Sequence, residues 1–184
     1  MNQKQYNIPR LCYERNIKNG SANLLYFSIF TVINIVLLFT NANLSFLFSA
    51  YIPPVLIALG RDFSTITGSN GPLIVFGVIS VLYVACCVLS SVMANKKPVW
   101  LILGAVMTTL DTALMLVDIL PVIGDYLAND IISLVILLLF HAWILYYVFN
   151  ALSSYKKLKD LPPEPQTYEA QYVVNGEPTD TTEQ

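Results

Sequence analysis

The chain has 184 residues, 55% of them hydrophobic and only 12% charged, with a formal net charge of −2. Globular domains carry about 25% charged residues, so a mostly water-facing surface is excluded. The apolar residues are also clumped into long runs that a soluble core does not require, and an integral membrane protein of one compact unit follows.

The net charge conceals an asymmetry. Every Lys and Arg lies at or before Lys159, whereas residues 160–184 hold six acids and no base. Cys12, Cys86 and Cys87 do not form a disulfide framework: one lies in the N-terminal segment and two are vicinal in an apolar run.

The first 23 residues are polar and carry Lys4, Arg10, Arg15 and Lys18. A solvated basic segment is expected here. A short surface helix opened by Pro9 and ending near Gly20 is the other possibility, with Ser21 as the N-cap of the first span. Residues 1–23 lack the early apolar region of a signal peptide, so residues 24–38 are expected to be retained as a span.

Residues 24–60 contain no charge at all. At about 1.5 Å per residue they are far too long for one crossing of roughly 30 Å of hydrocarbon. Pro53-Pro54 is expected to break any helix there and to push Ile52 toward extended backbone. Charge decides how many spans the run holds. With one, the spans are about 24–45, 73–94, 99–120 and 131–152, and nine of the ten Lys and Arg fall on one side, with only Arg61 opposite. With two, the bases split five and five. The positive-inside rule selects the four-span topology, with both termini cytoplasmic.

The fold class is therefore all-α: a four-transmembrane-helix bundle with an outer apolar loop or re-entrant segment. The expected organisation is a cytoplasmic N-terminal segment (1–23), a membrane domain (24–152) and a cytoplasmic tail (153–184). Residues 51–59 are expected at the outer interface or folded back over the bundle, where any non-helical backbone must be covered by protein. Asn70-Gly71-Pro72 is a turn whose proline suits the start of the second span. Beyond Lys159, Leu161-Pro162-Pro163-Glu164-Pro165 reads as extended, and the acidic remainder as disordered.

Residues three and four apart share a helix face. The first span then lines up Thr31, Asn34 and Asn41; the second Gly77, Ser80, Val84, Cys87 and Ser91; the third Gly104, Thr108, Asp111, Met115 and Asp118. In lipid, stripes of small and polar residues mark where helices meet.

Asp111 and His141, the only histidine, each lie about nine or ten residues from the outer ends of their spans, roughly 15 Å deep. Their helices are joined by a short turn and should be antiparallel neighbours, so the two side chains are expected to meet. Asn34 is at similar depth, and Asn34, Thr108 or His141 could relieve the roughly 2.5–3.5 kcal/mol cost of an Asp at mid-span. Asp118 is expected at the outer boundary, where water solvates it. As a site, Asp111, His141, Asn34 and Thr108 suit a proton-sensitive group, because histidine changes charge near neutral pH. The same residues suit a polar lock that fixes helix register.

Other chemistry finds little footing. One histidine and a vicinal cysteine pair argue against a metal, and no cofactor fingerprint, phosphate loop or nucleophile elbow is present. No cofactor is expected, and an enzyme is not. The basic residues form small juxtamembrane clusters, which set topology and attract anionic lipid but do not suit nucleic acid.

Three segments, Phe46-Leu-Phe-Ser-Ala-Tyr-Ile-Pro, Leu110-Asp-Thr-Ala-Leu and Phe140-His-Ala-Trp-Ile-Leu-Tyr-Tyr, resemble uncharacterised small multi-pass bacterial membrane proteins. The resemblance covers roughly residues 20–155 and implies a bacterial cytoplasmic membrane, with no activity attached. The leading functional expectation is a structural or accessory component of a membrane assembly, whose partners are the lipid bilayer and another membrane protein or itself. The alternative is a small oligomeric proton-coupled transporter or channel using Asp111 and His141.

Overall fold

A computed structural model describes residues 3–40, 48–121 and 128–162, with side chains from 9 and from 131 in the first and last of these, and the described residues form five helices. They are α1 (Gln3–Phe39), α2 (Ile52–Thr67), α3 (Gly71–Met93), α4 (Pro98–Ile119) and α5 (Ala128–Lys159). Among the described residues, four helices are long and apolar enough to cross a membrane: α1, α3, α4 and α5. Large apolar side chains such as Ile74, Val81, Val117 and Leu139 are exposed all around them. Water would not tolerate so continuous an apolar surface, and lipid does. This is a multi-pass helical membrane protein.

α1 packs against α5 and α3, and α4 packs against the same two, so α1 and α4 are diagonal in the bundle. The α1/α5 seam is an antiparallel ladder. Asn16 Nδ2 donates to Ser154 Oγ (3.1 Å), Trp143 Nε1 donates to Asn23 Oδ1 (3.0 Å), and Phe27 stacks on Phe140. Gly20 lets the backbones approach: a Cβ there would stand 2.5 Å from Ala151 Cβ and 2.9 Å from the Tyr147 carbonyl oxygen. Gly104 on α4 instead makes room for side chains: a Cβ there would stand 2.5 Å from Leu24 Cδ1 and 2.6 Å from Ser90 Oγ. The buried core between the helices includes Leu24, Phe27, Leu101, Ile144 and Val148.

α1 differs from the expected tail followed by a span. It is one unbroken helix of 37 residues, with Pro9 inside it and Gly20 and Ser21 in mid-helix. Ser21 is no N-cap; its hydroxyl donates to the Ser91 carbonyl of α3. Tertiary contacts support the continuity, because the extension of α5 through Lys159 packs beside α1 at Tyr13 and Asn16. Asn16 with Ser154 and Ser21 with Ser91, together with the Tyr155 hydroxyl donating to the Ala94 carbonyl (2.8 Å), gather the start of α1, the α3/α4 turn and the end of α5 at one end of the bundle. That end carries the basic residues. Arg61, toward the other end, donates to the Leu38 carbonyl and so caps the last turn of α1, where a cation suits the helix dipole.

Pro53-Pro54 begins a helix instead of breaking one. The prolines occupy the first turn of α2, where their missing N–H groups have no intrahelical use, and Ile52 is the first helical residue, not extended. α2 ends at Gly68, whose φ of 63° and ψ of 19° form a left-handed cap. α3 then starts at Gly71 with Pro72 in its first turn, as the turn motif predicts. Asn41, the segment to Leu47, the turn with Gly124 and Asp125, and the acidic tail beyond Pro162 lie outside the described residues.

Candidate functional site

The polar stripes run along the interior of the bundle, and several of their residues meet at the start of α2. Thr31 and Asn34 on α1, Gly77, Ser80, Val84, Cys87 and Ser91 on α3, and Gly104, Thr108, Asp111 and Met115 on α4 are all buried. They do more than let helices approach each other. Several line a socket for residues 49–53. Asn34 Nδ2 donates to Ser49 Oγ (2.8 Å), and the Ala50 N–H donates to Thr31 Oγ1 (2.9 Å). From the opposite wall, Ser80 Oγ lies 3.3 Å from the Pro53 carbonyl oxygen and donates to it or to its own Phe76 carbonyl at 2.9 Å. Non-helical backbone at this level of the bundle is thus covered by protein on several sides.

Asp111, with no exposed surface, is the main anchor of the socket. A helix start leaves about four backbone N–H groups without partners. In α2, Pro53 and Pro54 carry none, which leaves those of Tyr51 and Ile52. Both donate to the Asp111 carboxylate: Tyr51 N–H to Oδ1 and Oδ2 at 3.0 and 2.9 Å, Ile52 N–H to Oδ1 at 2.8 Å. Asp111 therefore acts as an N-cap supplied from another helix, with its acceptor oxygens at the positive end of the α2 dipole.

Two side chains complete the shell. The Tyr83 hydroxyl lies 3.2 Å from Asp111 Oδ1 and 3.3 Å from the Met107 carbonyl oxygen, with one hydrogen to give. His141 is buried, with Phe27 and Phe140 edge-on to its ring, and its Nε2 lies 3.1 Å from Asp111 Oδ2. Its Nδ1 lies 2.9 Å from the Leu137 carbonyl oxygen, which can only accept, so Nδ1 carries a hydrogen. One further proton then fits between Nε2 and Oδ2. On the ring it gives imidazolium and carboxylate; on the carboxyl it gives two neutral groups. Without it, two lone pairs would face each other at 3.1 Å. Either arrangement places one shared proton between the two side chains.

Depth arithmetic thus brings Asp111 and His141 together, but the other expected partners differ. Thr108 directs its hydroxyl to the Gly104 and Ala105 carbonyls of its own helix, at 2.9 and 3.2 Å, and is not a donor to Asp111. A threonine in a helix finds its i−4 carbonyl before it finds a neighbour. Asn34 serves the same socket through Ser49. Asp118 is exposed, as its depth implies, and accepts from the Tyr51 hydroxyl. Tyr51 therefore touches both aspartates, one with its backbone and one with its side chain. The donors missed from sequence are the Tyr51 and Ile52 amides and the Tyr83 hydroxyl. The consecutive prolines were a usable signal, since they fix which amides a helix start has left to offer. Among the described residues, no group of three His, Cys, Asp or Glu is placed to hold a metal ion.

No family model, no curated protein and no solved structure matches the chain.

Proposed function

We propose that this chain is the protomer of a small, oligomeric, proton-coupled transporter or channel, in which Asp111 and His141 carry the proton and no bond-making chemistry is performed. One observation carries the reading: a fully buried carboxylate and imidazole in contact, held across the start of a half-length helix, within four helices of membrane-crossing length. Ionisable groups inside a membrane are costly and tend to mark ion or proton paths. Half-helices whose N-termini end inside a bundle recur at transport sites, because they aim a positive dipole and free amides at an anion. In this reading α2 is re-entrant: its 16 residues span about 24 Å, short of a full crossing. The basic end of the bundle faces the cytoplasm, by the positive-inside rule.

A cleft of about 280 Å³ between α2 and α4, lined by Tyr51, Ile52, Leu114 and Asp118, supplies an approach from the outer end. Leu24, Leu101 and Val148 fill the space between the spans, so the path runs along a protomer boundary and an oligomer is required.

The test uses the purified protein in liposomes loaded with a pH-sensitive dye. Wild type should dissipate an imposed pH gradient or couple it to flux of a small ion, and Asp111→Asn and His141→Gln should abolish this while remaining folded. Wild-type liposomes as tight as protein-free ones across the monovalent ions and small solutes tested would overturn the proposal. A structural or accessory role is the second reading, favoured because Asp111 gives most of its acceptor capacity to α2 backbone. It predicts a stoichiometric membrane-protein partner in mild-detergent copurification and no flux.

A further inference from the structure

At the basic end of the bundle, far from the Asp111 socket, α4 and α5 diverge around a groove of about 470 Å³. Pro98 and Ile102 of α4 and Leu152 and Tyr155 of α5 form its apolar walls, and Lys156 and Lys159 stand at its rim. The two lysines are three residues apart, hence on one face of α5. Lys157, on another face, lies with Nζ 5.9 Å from the centre of the Tyr13 ring of α1. Lys96 and Lys97 immediately precede α4, whose start has no side-chain cap and presents the positive end of its dipole. The acid nearest in sequence is Asp160, exposed beside Lys159.

We infer that this groove binds an anionic phospholipid, with its phosphate between Lys156 and Lys159 and an acyl chain against Ile102 and Leu152. Charge complementarity selects the headgroup. The walls select a lipid over a free anion, because a soluble phosphate would leave the apolar surface beneath it uncovered. Basic pockets between membrane helices near the bilayer surface have this character. The inference stands independently of any role for Asp111.

Native mass spectrometry of the full chain in detergent tests it, with phosphatidylglycerol and phosphatidylcholine of identical acyl chains titrated in separate arms. A lysine near the surface contributes about fivefold in affinity for anionic lipid, so wild type should retain one phosphatidylglycerol about 25-fold more tightly than phosphatidylcholine. The Lys156→Gln, Lys159→Gln double variant should bring the two lipids near parity, and Lys157→Gln should leave the preference intact. Ile102→Trp, which fills the groove, should lower retention of both lipids. Equal retention by wild type, or a preference unchanged in the double variant, would overturn the assignment. So would displacement of phosphatidylglycerol by an equal concentration of inorganic phosphate, because the apolar walls would then contribute nothing.

Discussion

Removing the Asp111 carboxylate tests the central geometric claim, that this side chain caps α2 from outside. Asp111→Ala deprives the Tyr51 and Ile52 amides of their acceptor, and the prolines that follow leave no neighbouring N–H to rearrange with. Two buried donors without partners cost about 1–3 kcal/mol each, or about 2–6 kcal/mol together. Asp111→Asn behaves differently. Its Oδ1 still accepts from both amides, and its Nδ2 faces His141 Nε2, free to accept because the ring hydrogen is on Nδ1. The remaining loss is the exchange of charge-assisted for neutral bonds, about 1–3 kcal/mol. The alanine variant should therefore be the less stable by about 1–3 kcal/mol. At about 2–4 °C per kcal/mol for a chain of this size, the two should differ by roughly 2–12 °C in Tm. Thermal unfolding in detergent measures the gap, and amide hydrogen exchange locates it. Tyr51 and Ile52 should exchange quickly in the alanine variant and stay protected in the asparagine one. Equal Tm values with both amides equally protected would refute the capping argument.

Two further substitutions probe the α1/α5 seam and the socket in turn. Gly20→Ala puts a methyl group 2.5 Å from Ala151 Cβ and 2.9 Å from the Tyr147 carbonyl, so α1 and α5 must separate, at about 1–3 kcal/mol. Adding Ala151→Gly should recover part of that loss by removing the first clash but not the second; a double variant no more stable than Gly20→Ala would contradict the close approach. Tyr83→Phe removes one hydroxyl donor from Asp111 while keeping the ring, and should lower stability by about 1–2 kcal/mol in the same unfolding assay. A double-mutant cycle on Asp111→Ala and His141→Ala, each of which removes the contact, should show coupling beyond the 0.3–0.5 kcal/mol scatter of independent sites. Additive losses would mean that the 3.1 Å contact carries no energy of its own.

The four spans, their stripes and the meeting of Asp111 with His141 were legible in the sequence for one reason: each is a property of a single helix or of its length. A run of about 20 apolar residues has one solution in lipid, a 3.6-residue period shows which face is polar, and a constant rise converts residue number into depth. The tertiary structure alone decided what the polar faces are for. Helical periodicity says that Thr31, Ser80 and Asp111 point inward. It does not say that they point at residues 49–53, because that segment's place depends on contacts with three helices at once. Local rules mislead in two places for the same reason. Taken alone, Pro53-Pro54 forbids a helix and Gly20-Ser21 suggests a break. In the folded chain, the first leaves two amides that a carboxylate about 60 residues away can satisfy, and the second packs closely on Ala151 and the Tyr147 carbonyl of α5. Local conformation there is settled by partners distant in sequence, and only folding supplies them.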